Sequence, residues 1–179
     1  MSKIYVDEIA GIASADTVAI PGHVIQVVST TKTDTFTTQS DSFVDVTNLS
    51  VNITPVSTDS KILVRLCLMG SITAATMYVR INGGNASTFI GDDTSSNRES
   101  TFIGLGRQTS GFDISESALS LSGELLDSPS TTSQITYQVQ VKASDSSSRT
   151  VNINQAPDDS DHVYRGRYVS TITAMEIAG

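Results

Sequence analysis

Two histidines, one cysteine and two acidic clusters are the side chains of this sequence best suited to catalysis or metal binding. His23 follows Pro21-Gly22, and His162 follows Asp158, Asp159 and Asp161. Zinc takes several closely spaced nitrogen or sulfur ligands, which one Cys and two distant His do not supply. The chain is rich in serine, yet none of its serines sits on the strand-to-helix elbow that exposes a nucleophile. Gly91-Asp92-Asp93 and Asp158-Asp159-Ser160-Asp161 offer hard oxygen ligands of the kind calcium accepts. Neither has the glycine and terminal Glu of an EF-hand loop. Both read as solvated loops whose Asp side chains bond nearby backbone. No glycine-rich segment follows a strand and opens a helix, so phosphate cradling has no support. The expectation is a protein that is not an enzyme, with no catalytic residues, no cofactor and no bound metal.

Recognition is better represented than catalysis. Tyr164 and Tyr168 flank Arg165 and Arg167 close to the second acidic cluster. Tyr and Arg are the residue types that dominate binding surfaces, so these four are the candidate contact patch. An ordinary sheet face with cross-strand pairs would also accommodate them. At the other end of the chain, Ile4, Val6 and Ile9 suggest a short strand in a segment too thin to hold a core of its own. That segment reads either as an edge strand or as an arm docking on a neighbouring subunit.

The elements that must position these residues are strands. From Thr136 to Ala143, Tyr137, Val139, Val141 and Ala143 fall on one side, and Thr136, Gln138, Gln140 and Lys142 on the other. This period of two marks a strand with one buried and one wet face. Ile62, Val64, Leu66 and Leu68 repeat the pattern, as do Met77, Val79 and Ile81, and Leu119, Leu121, Gly123 and Leu125. No window shows a helical stripe. Val24–Ser29 reads as a buried apolar strand. Asp34–Thr38 and Phe43–Val46 read as short strands around a polar turn, with Leu49, Val51 and Ile53 alternating after them. Asn82-Gly83-Gly84-Asn85 predicts a hairpin whose return strand is Ser87–Ile90. Cys67, inside the run Lys61–Ile72, reads as a small hydrophobe packed in or near the core. Tyr168–Ile177 closes the chain as a strand. Turns recur about every ten residues, the rhythm of a sandwich or jelly roll.

Composition agrees. The chain has 179 residues, enough for one domain; 38% are hydrophobic and 6% aromatic, with no Trp, so the core is aliphatic. Ser and Thr make up about a quarter of the chain, above ordinary usage, and suit turns and strands respectively. The formal net charge of −8 argues against nucleic acid as a partner, because phosphate contacts need Lys and Arg. With one cysteine no intrachain disulfide forms. Met1–Ala10 lacks the apolar core of a secretory signal, and no stretch has the apolar length to span a bilayer. The organisation expected is an N-terminal arm over residues 1–22 and a single antiparallel β-sandwich, jelly-roll-like, over 23–179.

Several strings in this sequence carry a family resemblance. KIYVDEIAG (Lys3–Gly11), IPGHVIQVV (Ile20–Val28), KTDTF (Lys32–Phe36), SFVDVTNLSVNITP (Ser42–Pro55), SKILV (Ser60–Val64), LLDSPSTTSQITYQVQV (Leu125–Val141) and STITAMEIAG (Ser170–Gly179) resemble virion proteins of marine tailed phages, notably cyanophages. These are described as tail-fibre or appendage proteins. The resemblance spans nearly the whole chain and carries no catalytic motif. It implies a homotrimeric component of the virion surface, on tail or capsid, whose partners are itself, other virion proteins, and a host surface receptor or glycan. No shaft-forming repeat is evident, so the expected form is a short tail-fibre-like appendage or knob with a host-contact role. A capsid head decoration protein is the alternative. A glycan-degrading tailspike would need paired carboxylates in a groove, commonly on a longer solenoid.

Overall fold

The computed structural model describes residues 20–86, 89–91, 98–106, 117–145 and 149–179. Ten strands run through them: β1 (Val24–Lys32), β2 (Phe36–Thr38), β3 (Val44–Ile53), β4 (Lys61–Ile72), β5 (Met77–Asn82), β6 (Ile103–Leu105), β7 (Leu119–Asp127), β8 (Ile135–Ala143), β9 (Val151–Ile153) and β10 (Ser170–Ile177). All pairings between them are antiparallel. No α-helix occurs among the described residues, and so none is long and apolar enough to cross a membrane.

The strands form two sheets that pack face to face. β7 lies along one edge of β4. The other edge of β4 is shared by β10, opposite Lys61–Cys67, and β9, opposite Gly70–Ile72. β9 and β10 are therefore two halves of one strand line, interrupted by an excursion from Asn154 to Val169. β1 pairs with β10 and β2 with β9, so these two likewise form one broken line. Counted as lines in chain order, the first sheet runs first, eighth, third, sixth. The second sheet, β3-β8-β5-β6, runs second, seventh, fourth, fifth. That strand order is a jelly roll, two four-line sheets with every strand's inner residues spent on one core.

Alternation sets the core. Ile62, Val64, Leu66 and Leu68 of β4 and Ile172 and Ala174 of β10 meet Val51 and Ile53 of β3, Tyr137, Val139 and Val141 of β8, and Met77, Val79 and Ile81 of β5. Each fully buried aliphatic side chain here contributes about 1.5–3 kcal/mol by leaving water.

The structure corrects four expectations. Val24–Ser29 is not buried: β1 is an edge strand, and Val24 and Val27 are more than half exposed. Cys67 is exposed too, because period two places it with Arg65 on the outward face of β4. Phe43–Val46 and Leu49–Ile53 are not separate, since most of both runs belongs to β3. Within β3 a bulge steps five residues, Asp45 to Ser50, against two in β8, Gln140 to Gln138. The bulge turns both Val46 and Leu49 inward. Gln138 Nε2 donates to the freed carbonyls of Val46 (2.9 Å) and Leu49 (3.2 Å). Finally, the Gly83–Gly84 turn forms, with positive φ at both residues, but the described part of the expected return strand is not paired with β5. Residues 87 and 88 lie outside the described set, Phe89 and Ile90 are not strand, and β5 pairs with β8 and β6 instead. The turn is held from the neighbouring sheet. Buried Asp127 accepts from Tyr137 Oη (2.6 Å) and from Asn85 N (3.1 Å). Burial, followed by the Asp127 carboxylate, pushes the Tyr137 phenol well above its ordinary value.

Asn154 closes the break in the sheet. Its side-chain amide donates to Lys32 O (2.9 Å) and Asp34 O (3.0 Å), and its Oδ1 accepts from Ser170 Oγ (2.6 Å). Its backbone N donates to Met69 O, and its carbonyl accepts from Tyr168 N. The residue is fully buried at φ 62°. Asn tolerates that left-handed backbone better than other residues with a Cβ. Asn154→Ala leaves several buried groups unpaired and should cost about 2–4 kcal/mol in a urea melt. Asn154→Gly keeps the backbone conformation and should recover about 1 kcal/mol of that loss, the left-handed penalty.

Candidate functional site

The excursion Asn154–Val169 carries all four residues of the predicted contact patch. Its base is tied to the sheet through Asn154 and through an isolated β-bridge between Gln155 and Arg167. Ser71 Oγ, buried, donates to Gln155 O (3.0 Å). Above the base, two ion pairs clasp the loop. Arg165 Nη2 lies 2.9 Å from Asp158 Oδ2, and Arg167 Nη1 bonds Asp159 Oδ1. Asp158 also accepts from Ser160 N at 3.1 Å, the Asx turn its sequence favours. The Arg165 hydrogen bond, followed by the Ser160 backbone, holds the Asp158 carboxyl below the ordinary Asp range.

The structure brings the four residues together but gives them different roles. Arg165 is half-buried and, with exposed Arg167, serves the clasp. Tyr168 is half-buried, its ring laid over Gly166; a Cβ at Gly166 would come within 2.6 Å of the ring, so glycine is required for that approach. Tyr164 is 65% exposed at the tip. Beside it are two residues that sequence reasoning did not single out for contact. Val163 is 86% exposed. The His162 ring lies 4.9 Å from the Tyr164 ring, inclined at 43°. His162 O also accepts from Arg165 N (2.9 Å). The tip is thus an apolar and aromatic point on a loop in which Asp158 and Asp159 are paired with Arg165 and Arg167. A Val next to a Tyr inside a charged, polar stretch was the available signal.

The remaining candidates fall elsewhere. Ile4, Val6 and Ile9 lie outside the described residues, as do Asp92 and Asp93. His23 sits just before β1, where its carbonyl accepts from Ala178 N, beyond the far end of β10 from His162. Cys67 Sγ is 3.8 Å from Ser120 Oγ. Among the described residues no three His, Cys, Asp or Glu side chains gather where they could hold a metal. A groove of about 490 Å³ crosses the outward face of the first sheet, lined by Arg65, Cys67, Glu124, Thr171, Thr173 and Met175. On the second sheet the outward aromatics are covered from within: Arg80 lies 4.2 Å over the Phe43 ring, and Lys142 lies 5.8 Å from the Tyr78 ring.

Comparison with protein-family models and with curated proteins finds no match for this chain.

The clasp has a pH signature. Because Asp158 titrates below its unfolded value, its contribution is full above that value, about pH 3.9. It is lost as pH falls through the lowered folded value. Arg165→Gln should return the Asp158 titration, followed by carboxyl carbon NMR, toward about 3.9. The core resonances should stay in place.

Proposed function

We propose that this chain is a structural protein of a tailed-phage virion: a short homotrimeric tail-fibre-like appendage or knob whose loops meet the host surface. The observation that carries the reading is the clasped excursion. An otherwise regular jelly roll opens its sheet for sixteen residues and displays Val163 and Tyr164 at the tip. A binding loop on a rigid sandwich is where recognition residues commonly sit. Its carboxylates Asp158 and Asp159 are each neutralised by an arginine. That arrangement suits a fixed contact surface better than general acid–base chemistry, which needs a proton acceptor free to exchange. The sequence strings that resemble marine phage appendage proteins supply the particle context, and the net charge of −8 suits a solvated outer surface. The partners under this reading are other copies of the chain, other virion proteins and a host receptor or glycan.

Particle location tests it. Antibody-labelled electron microscopy should place the chain on the tail, in density with threefold symmetry. Density on the capsid shell would replace this reading with head decoration, and absence from particles would end both. Tyr164→Ala combined with Val163→Ser should leave the fold intact, since both side chains are exposed. Losing an aromatic anchor of about 1–3 kcal/mol should slow adsorption to host cells roughly tenfold or more.

A further inference from the structure

The outward face of the first sheet is unlike an ordinary wet face. The pairing registers align Leu126 of β7 with Leu63 of β4, Leu63 with Met175 of β10, and Met175 with Val27 of β1. Four apolar side chains therefore form one row across the entire sheet, on the side away from the core. Val27 is 55% and Leu126 42% exposed. At the same end, Ile20, Val24 and Val56 are exposed as well. The next row is Glu124, Arg65, Thr173 and Ser29, and the one after is Ser122, Cys67, Thr171 and Thr31. Small side chains in these rows leave the groove described above.

We infer that this face is the surface through which copies of this chain associate. The inference rests on the homotrimeric reading and gives it a location. Charge favours a second copy as the occupant. In a chain of net −8, two copies repel unless they meet through a face that lacks the excess negative charge. The charged side chains outward on β1, β4, β7 and β10 are Lys61, Arg65 and Glu124, and Arg65 and Glu124 lie 3.4 Å apart as a pair. Area agrees. Four strand lines by about eight residues give a face of roughly 19 by 26 Å. That is roughly 500 Å² of flat area, over half of the ~800 Å² per partner of a standard interface, and the exposed Ile20, Val24 and Val56 extend it. The second sheet needs no such cover, because Arg80 and Lys142 already lie on its outward aromatics.

Cys67, two rows from the apolar row and the chain's one thiol, is a built-in reporter. The experiment combines native mass spectrometry or light scattering with the rate of Cys67 alkylation by iodoacetamide, across a dilution series of the full chain. The wild type should be oligomeric at micromolar concentration, and its Cys67 should react at least tenfold more slowly there than when diluted to monomer. Val27→Glu with Leu126→Glu should give a monomer with fast alkylation at every concentration. Thr173→Lys, on the outward face where the Thr173 hydroxyl lies 2.8 Å from Ser29 Oγ, should weaken association in the same direction, and circular dichroism should report an unchanged β fold in both. A wild type that is monomeric throughout overturns the inference. So does an oligomer that survives these substitutions with Cys67 reacting at the monomer rate. A monomer would also remove the homotrimeric part of the functional reading, whereas an oligomer with Cys67 reacting at the monomer rate overturns this inference alone and leaves that reading standing.

Discussion

The break in the first sheet is closed at Asn154. Three neighbouring strand lines, β1/β2, β9/β10 and β4, would leave unpaired backbone where the middle line departs for sixteen residues. A buried backbone group without a partner costs about as much as a lost hydrogen bond. One asparagine answers that cost by filling its backbone and side-chain groups with Lys32, Asp34, Met69, Tyr168 and Ser170. Ser170 extends the link, accepting from Met69 N at 3.0 Å. No hydrophobic residue could do this. The polar junction is therefore what lets a close-packed sandwich carry a loop without opening its core.

The loop so anchored has a simple division of labour. Two Asp–Arg pairs hold its shape, and Val163 and Tyr164 at its tip face outward. Arg165 and Arg167 look like recognition residues in sequence, yet both are engaged by Asp158 and Asp159. Surface ion pairs of this kind add little stability singly. Two on adjacent acidic residues restrict the loop's conformations, which lowers the entropy that a binding partner would otherwise have to remove.

The outward faces of the two sheets show that burial is not the only use of apolar residues. On the second sheet Phe43 and Tyr78 are shielded by cationic stems, a local solution available when Lys or Arg stands in register. On the first sheet the register aligns apolar residues with each other. The warning was present in the sequence as adjacent apolar pairs, Val27-Val28, Leu63-Val64 and Leu125-Leu126, where strict alternation lapses. A strand with two apolar neighbours in succession has an apolar residue on both faces.

Strand type and the inner apolar positions of β4, β5, β7 and β8 were legible from period two, because that periodicity follows from the pleat and needs no knowledge of neighbours, and the recurring turns added the sandwich. Tyr137, Val139, Val141 and Ala143 are all fully buried as their alternation requires. Pairing was not legible. The Asn82–Asn85 turn is a local property, but the partner of β5 is chosen by which strands reach the same sheet, and β8 lies more than fifty residues away in sequence. The same limit applies to Cys67 and Val24, whose exposure depends on facing and on edge position within a sheet. It applies most to Asn154, a residue with no pattern around it, whose role exists only where three strand lines meet.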